Sequence, residues 1–354
     1  VYLGGYYGEF YKSTNGGDSF SLIEDSGGSR VFIATSAANT SKVWVRHGET
    51  LKVSGNNGDS FTDITNTLMD VYSEDMIAIS PTDENIIVGG FFEVYRSDNG
   101  GANFSAISNW LGDIPEEDNG LPLVHVDQRN IFQNPLEPNN VYFTNDGGVY
   151  RYKIAEDAFE NLSDGLKITQ FYDIAVSQTD DNVLGGGSQD NGNMYRGSDG
   201  EWSDYASTGD GMNQEIDPTD ENTRYWAYQN GTLYRWVSGT NTHISPPGMN
   251  GNGAWETPYR LDPTNPSRII AGYDRVYETL NKGTSWTAIS GNEFGDKLEE
   301  LAIAKSNPDR IYVTRGNTCL LYTSDAADDN RLVEVSGGAG AVKKGGGGGG
   351  GGGG

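Results

Sequence analysis

Cysteine is almost missing from this chain of 354 residues; the one present is Cys319. A single thiol builds no disulfide framework and no cysteine-ligated metal site. Histidine is nearly as scarce, and His47, His125 and His243 lie far apart in sequence, which argues against zinc. Basic residues are few: 24 Lys and Arg stand against 50 Asp and Glu, a net charge of −26. Such a balance repels nucleic acid and anionic lipid, because both are bound through basic patches. It suits a solvated extracellular protein, a salty habitat or calcium binding. No apolar run approaches the eighteen residues a membrane-spanning helix needs. No helical period is sustained either; the nearest stretch, Leu162 to Tyr172, is interrupted by Asp164-Gly165. Gly185-Gly186-Gly187 opens no helix and has no Lys-Ser/Thr pair after it, so it is not a phosphate loop. No nucleophile elbow is present. Disorder is excluded as well, since aromatics make up 11% of the residues and strand-forming runs recur throughout.

What the chain does contain is a repeat. An alternating apolar strand ends in a Pro/Asp/Asn turn and is followed by a β-branched strand that often closes on Gly. A third strand then carries an aromatic and a basic residue. The first turn marks the units at Ser80–Asn85, Asn134–Asn139, Ser177–Asn182, Asp217–Asn222, Asp262–Pro266 and Ser306–Asp309, with a weaker copy at Ala38–Ser41. Successive openings lie 54, 43, 40, 45 and 44 residues apart, the length of a four-stranded propeller blade. The third strand reads Phe10-Tyr11-Lys12, Val94-Tyr95-Arg96, Val149-Tyr150-Arg151, Met194-Tyr195-Arg196, Leu233-Tyr234-Arg235 and Val276-Tyr277-Glu278. Four tight turns follow such strands with the pattern Ser/Thr-x-Asn-x-Gly-x-x-aromatic: Ser13 to Phe20, Ser54 to Phe61, Ser97 to Phe104 and Thr279 to Trp286. The short polar side chain bonds the turn amides, Gly takes the left-handed dihedral, and the aromatic is expected to plug the hairpin against its neighbour. These turns are expected to be structural. The acidic, Pro-containing insert Trp110 to Leu123 reads as a loop between blades.

The turn pattern resembles the Asp-box, or BNR, repeat, with Asn at the usual Asp position. The whole arrangement looks like the superfamily of sortilin-type and xyloglucanase-type BNR propellers, in a secreted, Bacteroidota-like group. His125-Val126-Asp127-Gln128, Asn145-Asp146-Gly147-Gly148-Val149-Tyr150, Thr169-Gln170-Phe171-Tyr172 and Gly187–Gly192 carry that likeness. The fold class expected is all-β, a β-propeller of four-stranded blades cut at both ends, filling residues 1–318 as one large or two adjacent propellers. Residues 319–354 are expected to be a disordered, non-native tail. Cys319 to Asp329 resembles translated sequencing-adapter read-through, and Lys343-Lys344 before ten glycines is what an A run followed by a G run encodes. The tail holds four acids and three bases, so the remainder carries −25.

Within Val124–Gly211 the regular turn pattern breaks, and acidic turns take its place. Glycoside hydrolase family 74 uses two facing Asp residues, the first in a segment to which Asp146-Gly147-Gly148-Val149-Tyr150-Arg151 is similar but one residue short. The resemblance therefore implies Asp146 as one catalytic carboxylate, with Asp210 as its partner. His125, Asp127, Gln189, Asp190, Asn191 and Trp226 are the candidate binding residues. Trp202, Tyr205, Tyr225, Trp226, Tyr228 and Trp236 are of the type that stacks on sugar rings, although aromatics at these spacings are expected in blade cores. No metal site and no cofactor are assigned; Ca²⁺ is the ion that Asp146, Asp190 or Asp210 could take through carboxylate and carbonyl oxygens. A glycosidase needs a carboxylic acid and a carboxylate flanking the bond. Two functions stand: an extracellular module of a larger secreted protein that binds a polysaccharide or a protein, or a xyloglucanase-like endo-β-glucanase. Neither involves nucleic acid or a membrane span.

Overall fold

The computed structural model describes residues 1–48, 50–64, 76–109, 120–134, 136–206, 209–291 and 294–316, together with the backbone of 318–323, 332–335 and 342–345. Most of the expected insert loop, residues 110–119, lies outside the described residues. The described residues are strands and turns, with one short 3-10 turn at Gln229–Gly231. The chain divides into two compact units, Val1–Ile168 and Thr169–Gly354.

The first unit holds four antiparallel sheets in chain order. β1 (Tyr2–Gly4), β2 (Glu9–Lys12) and β3 (Ser21–Asp25) form the first. β4 (Val31–Ser36), β5 (Asn39–His47), β6 (Thr50–Ser54) and β7 (Thr62–Asp63) form the second. The third is β8 (Met76–Ile79), β9 (Ile87–Gly90), β10 (Val94–Ser97) and β11 (Ser105–Ala106). The fourth is β12 (Asn130–Gln133), β13 (Asn140–Asn145), β14 (Gly148–Lys153) and β15 (Ala158–Asn161).

The second unit repeats the scheme. Its sheets are β16 (Phe171–Val176) to β17 (Leu184–Ser188), β18 (Asn193–Arg196) and β19 (Trp202–Ala206); then β20 (Gly211–Ile216), β21 (Thr223–Tyr228), β22 (Thr232–Val237) and β23 (Thr240–His243). They are followed by β24 (Tyr259–Asp262), β25 (Asn265–Gly272), β26 (Val276–Thr279) and β27 (Thr287–Ala288). The last sheet is β28 (Glu300–Ile303), β29 (Arg310–Arg315), β30 (Thr318–Thr323), β31 (Leu332–Val335) and β32 (Val342–Gly345).

Every sheet is a meander of consecutive strands. Within the first unit β4 lies against β1 and β8, and β8 against β12. Within the second, β20 lies against β16 and β24, and β28 against β24. First strands side by side, with later strands fanning outward, are the blade arrangement of a β-propeller. The chain is all-β, and six of its eight described sheets have four strands, as the repeat spacing predicts.

The repeat grammar falls where a blade needs it. The marker turns lie between the first strand of a sheet and its second. Four aromatic-basic signals and the variant Val276-Tyr277-Glu278 lie on third strands. The sixth, Phe10-Tyr11-Lys12, is on β2, the middle strand of the three-stranded first sheet. Apolar residues on facing sheets fill the gaps between them. Ala78, Val88 and Val94 of the third sheet pack with Val141, Phe143 and Tyr152 of the fourth. Met212, Tyr225 and Leu233 pack with Tyr259, Ile269 and Ala271. Each of the larger such side chains contributes about 1.5–3 kcal/mol on leaving water.

The four patterned turns share one hydrogen-bond set. In the Ser97 turn, Gly101 N donates to Ser97 Oγ (2.9 Å), Ser97 Oγ to Asn99 Oδ1 (2.9 Å), and Asn103 N to Asn99 Oδ1 (2.9 Å). The equivalents at Ser13, Ser54 and Thr279 measure 2.8–3.0 Å. The aromatic plug is less uniform. Phe104 is 3% exposed and Trp286 Nε1 donates to Ile244 O (2.7 Å), but Phe20 is 39% exposed. Phe20 leads into β3, the outer strand of the three-stranded sheet, at a position left open to solvent.

Candidate functional site

Asp146 and its neighbours form one network in the first unit. The turn from β13 to β14 is two residues long, and Gly147 passes so close to His125 that a Cβ there would fall 2.5 Å from the His125 Cβ. Asn145 Nδ2 donates to His125 O (2.9 Å), as does Gln128 Nε2 (2.6 Å). Asp127 sits at φ 59°, a left-handed turn position that Asp tolerates. Arg129 donates through Nε (2.8 Å) and Nη2 to the two carboxylate oxygens of Asp146, and its Nη2 lies 3.9 Å from Asp127. The guanidinium thus clamps Asp146 bidentately, the strongest geometry such a pair has. His125, Asp127 and Asp146 are together, and what they build is the corner between two strands.

Asp190 and Asp210 come together in the second unit. Asp210 Oδ1 accepts from Asp190 N (3.0 Å), and Asp190 takes φ 58°. Asn191 Nδ2 donates to Gln189 O (3.0 Å), and Gln189 N to Gln170 O (2.9 Å). Asp210 is 9% exposed. Asp146 and Asp210 therefore sit in different units, each tied into its own turn. Among the described residues no three His, Cys, Asp or Glu side chains are grouped as metal ligands, so the calcium reading of Asp146, Asp190 and Asp210 gains no donor set.

Trp226 is 2% exposed. Its ring stacks on Tyr234 (4.3 Å between centroids) and Tyr205 (5.9 Å), and its Nε1 donates to Asn241 Oδ1 (3.0 Å). Arg224 lies over Tyr195 and Trp236 in the same stack. These rings are the packing between two sheets, and Trp226 has no face to offer a ligand. Trp202, by contrast, is 48% exposed and stacks on Phe171.

The chemically distinctive place is elsewhere, on the first strands of the second unit. A cleft of about 300 Å³ is lined by residues that include Asp173, Gln214, Glu215 and Arg260. Glycine sets the spacing of the strands beside it. A Cβ on Gly187 would fall 1.9 Å from Met212 O, so only glycine allows β17 to run this close to β20. Asp173 Oδ1 accepts from Ile174 N (2.9 Å) and its Oδ2 from Gln214 N (3.2 Å). Glu215 lies 3.7 Å from Arg260 Nη1 across the gap between β20 and β24. Burial pushes the Glu215 carboxyl up to about 7; Arg260 opposes that rise and Asp173 adds to it. The carboxyl is hemmed in by protein, with 23% of its side chain open at the cleft mouth.

Glu256 extends the set. Burial raises its carboxyl above the usual range, Glu300 and Asp173 add to the rise, and Arg260 opposes it. Asn213 bridges the two charges: with its amide oriented to satisfy both atoms, Nδ2 donates to Glu256 Oε1 (3.2 Å) and Oδ1 accepts from Arg260 Nη1 (3.1 Å). Tyr259 OH donates to Asn213 O (2.8 Å). Trp255, the residue before Glu256 in the chain, is 51% exposed and its Nε1 donates to Tyr172 OH (3.4 Å). A carboxyl with a raised pKa, an arginine and amides are thus collected in one place.

None of Asp173, Gln214, Glu215, Glu256 or Arg260 stands out in the sequence one at a time. Aligning the repeats on their marker turns does expose two of them. The position two residues before each turn reads Ala78, Phe132, Ala175, Glu215, Arg260 and Ala304. Two consecutive blades place opposite charges where the others place apolar residues.

No family model matches the sequence, and no curated protein does. Among solved structures, a GH74 enzyme of Niastella koreensis is 12% identical, with 93% of this chain and 69% of that one covered at a TM-score of 0.36. The GH74 xyloglucanase of Xanthomonas campestris is 13% identical, covering 91% and 57%, at 0.39. YCF48 bound to a D1 peptide is 10% identical, covering 88% and 85%, at 0.35. The chain spans less than two thirds of the Xanthomonas enzyme. The architecture described above rests on strand order and register rather than on these likenesses.

Proposed function

We propose that this chain is a ligand-binding β-propeller module of a secreted protein, and that it binds a glycan at the first-strand cleft of the second unit. The observation that carries the reading is the convergence of the Glu215 carboxyl, the Arg260 guanidinium and the Asn213 amide, with the exposed indole of Trp255 one residue from Glu256 in the chain. An aromatic face takes the apolar side of a sugar ring, and convergent polar groups take its hydroxyls. Titration calorimetry with β-glucan and xyloglucan oligosaccharides tests it. Trp255→Ala should weaken binding about tenfold or more while the circular dichroism stays unchanged. Undiminished binding in that variant would remove the site.

One observation favours a second reading, a glycoside hydrolase acting on β-glucan. Burial pushes the Glu215 carboxyl up to about 7, the direction a general acid needs. Reducing-sugar release from xyloglucan, with Glu215→Gln, Asp146→Asn and Asp210→Asn side by side, separates the candidates. Hydrolysis lost only in Glu215→Gln would place the acid in the cleft; hydrolysis by none of the proteins would leave a binding module.

A further inference from the structure

Asparagine followed by glycine is the pair most prone to lose its side-chain ammonia, because glycine has no side chain to shield its backbone nitrogen. Seven such pairs lie among the described residues: Asn15-Gly16, Asn57-Gly58, Asn99-Gly100, Asn191-Gly192, Asn230-Gly231, Asn250-Gly251 and Asn252-Gly253. The reaction is an attack by the glycine nitrogen on the asparagine side-chain carbonyl, so both groups must be free to come together. Six of the pairs are held. The amides of Gly58, Gly100, Gly192 and Gly253 donate to Ser54 Oγ (2.8 Å), Asn85 O (2.9 Å), Gly209 O (2.9 Å) and Asn230 O (2.8 Å). Asn15 Oδ1 accepts from Ser19 N (3.0 Å) and Ser13 Oγ (2.8 Å), and its Nδ2 donates to Ser19 Oγ (2.9 Å). Gly231 is buried, and a Cβ on it would fall 2.6 Å from Thr257 Oγ1 and 2.7 Å from the Tyr273 ring. The seventh pair stands apart. Asn250 and Gly251 are both exposed, and the Gly251 amide makes no hydrogen bond among the described residues. They are the central residues of a turn closed by Asn252 N donating to Met249 O (3.0 Å), with Gly251 at φ 69°. A second group faces the reacting carbonyl. His243, as its Nε2–H tautomer, donates to Asn250 Oδ1 (3.3 Å), the oxygen on which negative charge develops during the attack.

We propose that Asn250 is a site of spontaneous deamidation assisted by His243. The Gly251 nitrogen gives its proton to solvent and bonds to Asn250 Cγ; the Cγ–Nδ2 bond breaks, and ammonia leaves with a proton taken from solvent. One water then opens the cyclic imide. Opening at one carbonyl gives aspartate, and opening at the other gives isoaspartate, whose backbone carries an extra carbon. Water is the only co-reactant. Either product puts a carboxylate beside His243, in the loop between β23 and β24. The isoaspartate also lengthens the turn that Asn252 N and Met249 O close.

Incubating the full chain at neutral pH and mapping its peptides by mass spectrometry tests this. Asn250 should convert to aspartate and isoaspartate about tenfold or more faster than Asn99, Asn191 or Asn252, each of which must first break a glycine-amide hydrogen bond. His243→Phe removes the donor and keeps a ring beside Tyr234, and it should slow the conversion about fivefold, the effect of one ordinary hydrogen bond. In urea, with the fold lost, the pairs should react at similar rates and His243→Phe should change nothing. Conversion of Asn99, Asn191 or Asn252 ahead of Asn250 in the folded chain would overturn the site. The same ranking in folded and unfolded chain would show that the fold makes no choice among the pairs, which also overturns it. An unchanged Asn250 rate in His243→Phe, or an equal slowing of the variant in urea, would overturn the role of His243.

Discussion

At the residue scale, Glu215 is a carboxyl whose surroundings work against its charge. Asp173 faces it from β16 and Arg260 from β24, with Glu256 and Glu300 beyond. Its carboxyl titrates near 7 when folded and near 4.5 in the open chain. As pH rises through that interval the unfolded chain loses its proton first, so the folded form binds more protons and stability falls with rising pH. The loss begins near the lower value and is complete above the upper one, and amounts to about 3 kcal/mol. Urea denaturation at a series of pH values should show this decline, and Glu215→Gln should remove it. An identical pH slope in the variant would show that burial does not tax the charge. Asp217 works in the opposite sense: burial disfavours its charge, but hydrogen bonds from Lys282 and Thr219 outweigh that and hold its carboxyl below the usual range. The difference between the two acids is the number of donors each has been given.

At the element scale, close strand approach explains the glycine run on β17. The three glycines are not equivalent. A Cβ on Gly186 would meet the Phe171 ring at 2.3 Å, and Phe171 is 39% exposed and can swing away. A Cβ on Gly187 would meet backbone, Met212 O and Gly211 C, which cannot. Gly187→Ala should therefore cost about 3 kcal/mol or more, and Gly186→Ala about 1 kcal/mol. Chemical denaturation of the two variants checks the order, and similar costs would show that β17 and β20 have room to separate. Polar links between sheets follow the same logic of fixed placement. Arg268, buried, donates to Asp262 Oδ2 (2.8 Å), Glu278 Oε1 (2.6 Å) and Pro308 O (2.9 Å), so one guanidinium ties the marker turn of one blade to that of the next.

At the scale of the whole molecule, the boundary between the compact units runs through an exposed stretch. Residues 164–171 are all exposed, and no strand is formed until β16. Lys167 lies in the middle of it. Exposed backbone outside any strand is where proteases cut first. Brief trypsin treatment should cleave after Lys167 ahead of the basic residues on third strands, giving two fragments by mass spectrometry. First cleavage at Arg151, Arg196 or Arg235 would show that the blades open more readily than the link.

The strand order, the marker turns and the patterned hairpins were legible because each is local. Ser97, Asn99 and Gly101 meet within five residues, and their hydrogen bonds can be read from spacing alone. The same locality misdirects the search for a site. Asp146 and Asp210 look exposed in a turn-rich sequence, yet Arg129 clamps the first and the Asp190 amide engages the second. Trp226 looks like a platform and is a blade core, because only tertiary packing brings Tyr205 from the neighbouring sheet to cover it opposite Tyr234. The cleft depends on contacts between sheets. Glu215 and Arg260 are 45 residues apart and meet because adjacent blades put the same register position side by side. The sequence by itself determined the blades, since strand and turn propensities act over a few residues. Tertiary structure alone decided the cleft, since the burial that raises Glu215 exists only once two blades are stacked.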